Sequence, residues 1–169
     1  LSPNTSYYRV VAAYNAVGES SLSNTVTTWT LAAVPTVGTT FVAVGSSSIV
    51  TSWLANNNSD GTLYICEIST DNFASIKVSL QSLTTSTTFY SLTPNTTYWI
   101  QVKARSGDNI DTAYTFLGST STLAAVPVSL SFDNVNDVSF DATWQNNQNP
   151  SNTVYTAQIS KANDFNPVA

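Results

Sequence analysis

Leu1-Ser-Pro-Asn-Thr-Ser-Tyr7 returns as Leu92-Thr-Pro-Asn-Thr-Thr-Tyr98, and this echo constrains the chain more than any other feature. Trp53 returns as Trp144 and Tyr64 as Tyr155, each 91 residues on. Thr30-Leu-Ala-Ala-Val-Pro35 returns intact as Thr122-Leu-Ala-Ala-Val-Pro127, 92 residues on. Self-similarity at a fixed spacing marks a series of like modules. In 169 residues there is room for less than two full copies.

Apolar residues supply 42% of the chain and charged ones only 9%, against about a quarter in ordinary globular domains. Ser, Thr and Asn make up the polarity, and they favour strands and turns over helices. The net charge is −5, with five basic residues, Arg9, Lys77, Lys103, Arg105 and Lys161, spread along the sequence. Nucleic-acid binding needs clustered cations, so it is not expected. Neither is attachment to an anionic membrane, and runs such as Val10–Ala13 are too short to insert into a bilayer. The given residues do not open with a basic, apolar, small-residue leader, and the repeat frame expects the sequence to open inside a module. The single Cys66 excludes an internal disulfide, and its counterpart Ala157 says the position asks for a small buried side chain.

Alternation of period two runs between the landmarks, as half-buried strands require. Ile49, Thr51 and Trp53 share one face, matched by Phe140, Ala142 and Trp144. Tyr64, Cys66 and Ile68 share another, matched by Tyr155, Ala157 and Ile159. Tyr98, Ile100, Val102 and Ala104 form a third inward row, with Trp99, Gln101, Lys103 and Arg105 outward. Ile76, Val78 and Leu80 suggest a shorter strand. Turn residues separate these runs at Asn56–Gly61, Asn146–Asn152 and Ser106–Asn109. The expectation is an all-β chain of tandem antiparallel β-sandwiches.

A Trp in the second strand and a Tyr in the third are followed by Leu-x-Pro-x-Thr-x-Tyr running into Tyr-x-Ile-x-Val-x-Ala. Together these resemble the fibronectin type III domain, along the whole chain. The resemblance implies that Trp53 and Trp144 are core tryptophans. It makes Tyr98 and Tyr7 tyrosine-corner residues bonded to backbone near the preceding turn, with Leu92 and Leu1 plugging the core below it. The Asn15–Ser20 stretch resembles the family's turn between its last two strands. Near-identical repeats on one short linker are more similar to bacterial tandem arrays than to animal receptors. In this frame residues 1–30 are the last two strands of one domain, 31–124 a complete domain, and 125–169 the first three strands of a third.

Arg9 departs from the pattern, falling on the inward row where Ile100 sits and leaving Tyr8, Val10, Ala12 and Tyr14 as an apolar outer stripe. Either a bulge turns that stripe inward, the favoured expectation, or a neighbour covers it. The end segments pose a related problem, because Phe140, Trp144, Tyr155 and Ile159 each gain about 1.5–3 kcal/mol from burial. The favoured explanation is a window on a longer array. The other is head-to-tail completion by a further copy, which would propagate as a filament.

No His is present, which removes Ser-His-Asp and Cys-His nucleophile systems. A glycosidase needs two carboxylates about 5–9.5 Å apart across a cleft, and the ten here are scattered. No enzyme activity and no cofactor are expected. Asp133 and Asp137 are spaced to offer oxygen ligands to Ca²⁺, but a plain acidic turn is the favoured reading. Arg105-Ser-Gly-Asp108 resembles, with Ser106 inserted, the integrin-binding tripeptide of some family members. Its loop, with Arg105, Asp108, Asn109 and Asp111, and the Asn-rich loop, with Asn57 and Asp60, are the tips where such scaffolds bind partners. Outward Trp99 could stack on a sugar ring, although cross-strand packing is the commoner fate of such a residue. Asn4-Thr-Ser6, Asn57-Asn-Ser59 and Asn95-Thr-Thr97 fit the N-glycosylation pattern, which chance also produces in so Asn- and Ser-rich a chain.

The function expected is architectural: a stalk, spacer or filament body in an extracellular or cell-surface array. Its expected partners are neighbouring repeats, other copies packed head-to-tail, and glycans or surface proteins. Leu31–Pro35 leaves little slack, and Pro35 and Pro127 stiffen the connection. Strands of about nine residues would let each domain extend a semi-rigid rod by roughly 30 Å. Two other readings stand: an adhesin or glycan-binding module acting through loop tips, and an accessory domain of a larger secreted enzyme.

Overall fold

Alternating burial along one nine-residue strand organises the molecule. From Thr97 to Arg105, Tyr98, Ile100, Val102 and Ala104 are buried while Trp99, Gln101, Lys103 and Arg105 are half-buried on the other face. A pleated strand sends successive side chains to opposite faces, so this pattern fixes which face meets a second layer. The computed structural model describes residues 1–160, so Lys161, Asp164 and the rest of the expected third domain lie outside the described residues.

The described residues form strands β1 (Ser6–Arg9), β2 (Val26–Trp29), β3 (Phe41–Val44), β4 (Ile49–Ser52), β5 (Leu63–Ser69) and β6 (Val78–Ser82). They continue with β7 (Ser86–Phe89), β8 (Thr97–Arg105), β9 (Thr115–Ser121), β10 (Val128–Asp133) and β11 (Asp141–Gln145). Strands β3-β4-β7 make one antiparallel sheet and β6-β5-β8-β9 the other. The core between them gathers Ile49, Trp53, Tyr64, Cys66, Ile68, Phe89, Leu92, Tyr98, Ile100, Val102, Ala104 and Leu117. This all-β sandwich is the expected fold class. Cys66 is fully buried within it, and burial raises its thiol pKa.

Trp53 lies against Tyr64 with ring centroids 5.5 Å apart, and Thr93 N–H donates to the Tyr98 hydroxyl at 2.9 Å, closing the corner. The expected strand over Ile76–Leu80 lies two residues later, with Ile76 exposed.

On either side, β1 pairs with β2 and β10 with β11 as two-stranded hairpins. Ser2 N–H donates to the Tyr7 hydroxyl at 2.8 Å, and Trp144 lies 5.6 Å from Tyr155. Local geometry therefore repeats with the sequence, but burial does not. Trp144 is 38% exposed where Trp53 is 2%, and Leu1, expected to plug a core, is exposed. Each of these hairpins lacks an opposing sheet among the described residues. Residues 154–160, the counterpart of β5, form no strand, and Ile159 faces solvent.

The β1–β2 register runs unbroken from Ser6↔Trp29 to Arg9↔Val26, so no bulge precedes Arg9. Beyond it the pairing slips, with Ser23 N–H bonded to Val11 O and Tyr14 bridged to Glu19. Tyr8 and Tyr14 remain exposed.

Candidate functional site

The polar residues that recur along the sequence converge on two joints, one between the first hairpin and the sandwich, the other between the sandwich and β10–β11. Asn is suited to both tasks a joint sets, because it tolerates left-handed backbone and carries its own donor and acceptor. Asn4 has φ 47° and Asn95 φ 44°; Asn56 has φ 54° and Asn147 φ 50°.

At the first joint, Asn4 is buried and its amide is fully used: Nδ2 donates to Thr62 Oγ1 at 2.8 Å and Oδ1 accepts Gly107 N–H at 2.8 Å. Its carbonyl accepts the Ser59 hydroxyl at 2.6 Å. Asn58 holds the linker, accepting Ala33 N–H at 2.7 Å and donating to Ala33 O at 2.8 Å, while Asn56 Nδ2 donates to Val34 O. Pro35 is fully buried, and its carbonyl accepts the Thr115 hydroxyl.

The second joint reproduces the set. Asn95 Nδ2 donates to Thr153 Oγ1 at 2.9 Å. Asn149 accepts Ala125 N–H at 2.8 Å and donates to Ala125 O at 2.8 Å, and Asn147 donates to Val126 O at 2.9 Å. These contacts join neutral amides and hydroxyls, which ionic strength screens little compared with exposed ion pairs.

The loop of residues 105–111 adds further contacts to the first joint. Asp108 Oδ2 accepts Trp29 N–H at 3.1 Å and the Thr28 hydroxyl at 3.3 Å. Trp29 packs on Gly107 so closely that a Cβ there would lie 2.2 Å from the indole. The loop is braced from within. Asn109 N–H donates to Ser106 O at 2.9 Å, and Asp111 binds Arg105 through both oxygens and Lys103 at 2.9 Å. The Arg105 hydrogen bond, joined by Lys103, holds the Asp111 carboxyl well below the usual carboxylate range.

Among the sequence-predicted residues, Asp108 thus faces the preceding hairpin, and Arg105 and Asp111 pair with each other. Asn57 and Asp60 are exposed beside Asn58, which carries the contact. Trp99 is half-buried opposite Ser69 on β5. Asp133 accepts the Thr143 hydroxyl at 2.9 Å. The turn beside it is organised by Asn136 Oδ1, which accepts Val138 and Ser139 N–H. Among the described residues no group of three or more His, Cys, Asp or Glu side chains is placed to hold a metal. Asn4 and Asn95, both in glycosylation patterns, spend their amides in the joints, whereas Asn57 is exposed.

Sequence reasoning passed over Asn4, Asn58, Thr62, Trp29 and Gly107 as contact residues. A signal for three of the joint positions was present. Between loops 56–62 and 147–153, only Asn56/Asn147, Asn58/Asn149 and Thr62/Thr153 keep their identity, and these are the joint residues.

Residues 33–115 match the fibronectin type III domain family. Among solved structures, the chain is similar to the rat CD45 extracellular region, domains d3-d4, at 21% identity and TM-score 0.48. That match covers 72% of this chain and 66% of the other, just under two thirds of its length. It is also similar to the chicken CNTN1 FN1-FN3 domains, at 17% identity and TM-score 0.41, over 86% of this chain and 53% of the other. A computationally redesigned β-sandwich protein matches at 21% identity and TM-score 0.45, over 56% of this chain and 93% of that one. No curated protein matches the chain.

Proposed function

We propose that this chain is a structural spacer, part of an extracellular or cell-surface array in which successive fibronectin type III-like units are held at fixed angles. The observation that carries the reading is the recurrence of one set of contacts at both joints: Asn4–Thr62 with Asn95–Thr153, and Asn58–Ala33 with Asn149–Ala125. A spacer of defined reach needs its connections to resist bending. Linker residues tied on both sides by neutral hydrogen bonds supply that resistance. The matched family is a non-catalytic module in general, which agrees with a mechanical role.

Small-angle X-ray scattering on the full chain tests the reading. The unaltered protein should show a well-defined maximum dimension that grows by roughly 30 Å for each unit. The double variant Asn58→Ala, Asn149→Ala should broaden the ensemble and lower the mean dimension. A broad ensemble in the unaltered chain would overturn the proposal.

A further inference from the structure

The two joints share their amide contacts, and the strands that lead into them end in different residues. Trp29 stands at the end of β2, and the equivalent position at the end of β9 is Ser121. Trp29 reaches the loop of residues 105–111 in the following unit through its backbone N–H on Asp108 Oδ2 at 3.1 Å and its indole on Gly107.

We propose that Trp29, Gly107 and Asp108 form a docking latch whose partner is a preceding unit ending its last strand in Trp. The proposal rests on the spacer reading and adds that the residue ending a unit's last strand selects the neighbour it docks on. Three contacts make the latch, and the first of them makes it specific. Gly107 is obligatory for steric reasons, since a Cβ would sit 2.2 Å from Trp29 Cδ2 and 2.3 Å from Cε2. Gly107 N–H must also meet Asn4 Oδ1 at 2.8 Å, which seats the loop against the corner of the preceding unit. Asp108 receives both the Trp29 backbone N–H and the Thr28 hydroxyl, so its carboxylate holds the strand end in place while the indole supplies the selectivity. A flat indole over a side-chain-free backbone excludes water from the contact, whereas a Ser there makes no such platform. A loop carrying any other residue at position 107 would reject a Trp-ended neighbour by collision, and specificity built on rejection is as effective as added attraction.

Spin-label distance measurements on the full chain test this. Labels at Ser21→Cys and Ser119→Cys report the first joint, and labels at Ser119→Cys and Ser151→Cys report the second; all three sites are exposed and Cys66 is buried. The unaltered protein should give a narrow distribution at the first joint. Trp29→Ser, Gly107→Ala and Asp108→Ala should each widen the first about twofold and leave the second unchanged. Trp29→Ser copies the residue already present in the sandwich, so a general folding defect is not its expected effect, and continued protection of Cys66 checks this. If all three variants keep the first distribution narrow, the latch is wrong while the spacer reading survives. If both distributions are broad in the unaltered chain, the latch and the spacer reading fall together.

Discussion

Asn58 grips Ala33 from both sides, its Oδ1 accepting the Ala33 N–H and its Nδ2 donating to the Ala33 carbonyl. The side-chain amide thereby acts as one rung of a β ladder and extends pairing into a linker that has no strand partner of its own. Nδ2 also donates to Ala55 O at 2.7 Å, so a single buried amide satisfies three backbone groups.

Asn58→Ala should therefore destabilise the sandwich by about 1–3 kcal/mol, the cost of leaving partly buried backbone groups without partners. Asn57→Ala, one residue away and exposed, should stay within about 0.5 kcal/mol of the parent. Denaturant unfolding of the full chain, followed by near-ultraviolet circular dichroism, checks both. Equal effects would mean that the clamp contributes nothing particular.

Equivalent tryptophans should not have equal worth. Trp53 is enclosed between two sheets, while Trp144 keeps its contact with Tyr155 but has an open side. Trp53→Ala should cost about 3–5 kcal/mol. Trp144→Ala should cost only about 1 kcal/mol, because much of its surface already meets water. The fluorescence blue shift of the native protein should disappear with Trp53 and survive the loss of Trp144.

Much of the central fold was legible because burial follows a period the sequence shows directly. The rows Ile49-Thr51-Trp53, Tyr64-Cys66-Ile68 and Tyr98-Ile100-Val102-Ala104 are all buried. Strands β3, β7 and β9 were harder to see. Phe41–Val44 is a four-residue apolar run with no polar residue to alternate with, and Ser86–Phe89 and Thr115–Ser121 are Ser- and Thr-rich. The joint contacts were hard to see for a different reason. Loop tips look alike in sequence whether they face solvent or a neighbour, and it is the recurrence of Asn56, Asn58 and Thr62, not their polarity, that separates a contact from a free tip.

Thr51 offers a test of that same logic inside the core. Its hydroxyl is buried with no hydrogen-bond partner among the described residues, and its counterpart in the repeat is Ala142. Thr51→Val keeps the shape and removes a polar atom, so stability should be unchanged or rise by about 1 kcal/mol. A loss larger than that, in thermal unfolding, would show that the hydroxyl is satisfied in solution.

Cys66 should be inert while the sandwich is folded. It has no exposed surface, and burial, reinforced by the Glu67 charge, raises its pKa and suppresses the thiolate that reacts. Reaction with an aromatic disulfide reagent should be undetectable over minutes in native buffer and complete in seconds in denaturant. Fast native labelling would contradict the packing around β5.

Acid should weaken the sandwich over a narrow and low range. Asp71 accepts the Ser69 hydroxyl at 2.6 Å, the Ser75 hydroxyl and the Ser75 N–H at 3.0 Å, and these bonds lower its pKa to about 2. The Arg105 and Lys103 contacts move Asp111 in the same direction. A carboxyl with a depressed folded-state pKa binds protons more readily when unfolded, where its value is about 3.9. Its contribution is therefore complete above about pH 4 and is lost as the pH falls through the folded value. Melting temperature should change little with these groups between pH 5 and 8 and decline from about pH 4 toward pH 2. Asp71→Asn should lower the plateau and flatten the decline, since the variant carries no proton to bind at that position. A slope unchanged in Asp71→Asn would assign the acid sensitivity to other carboxylates.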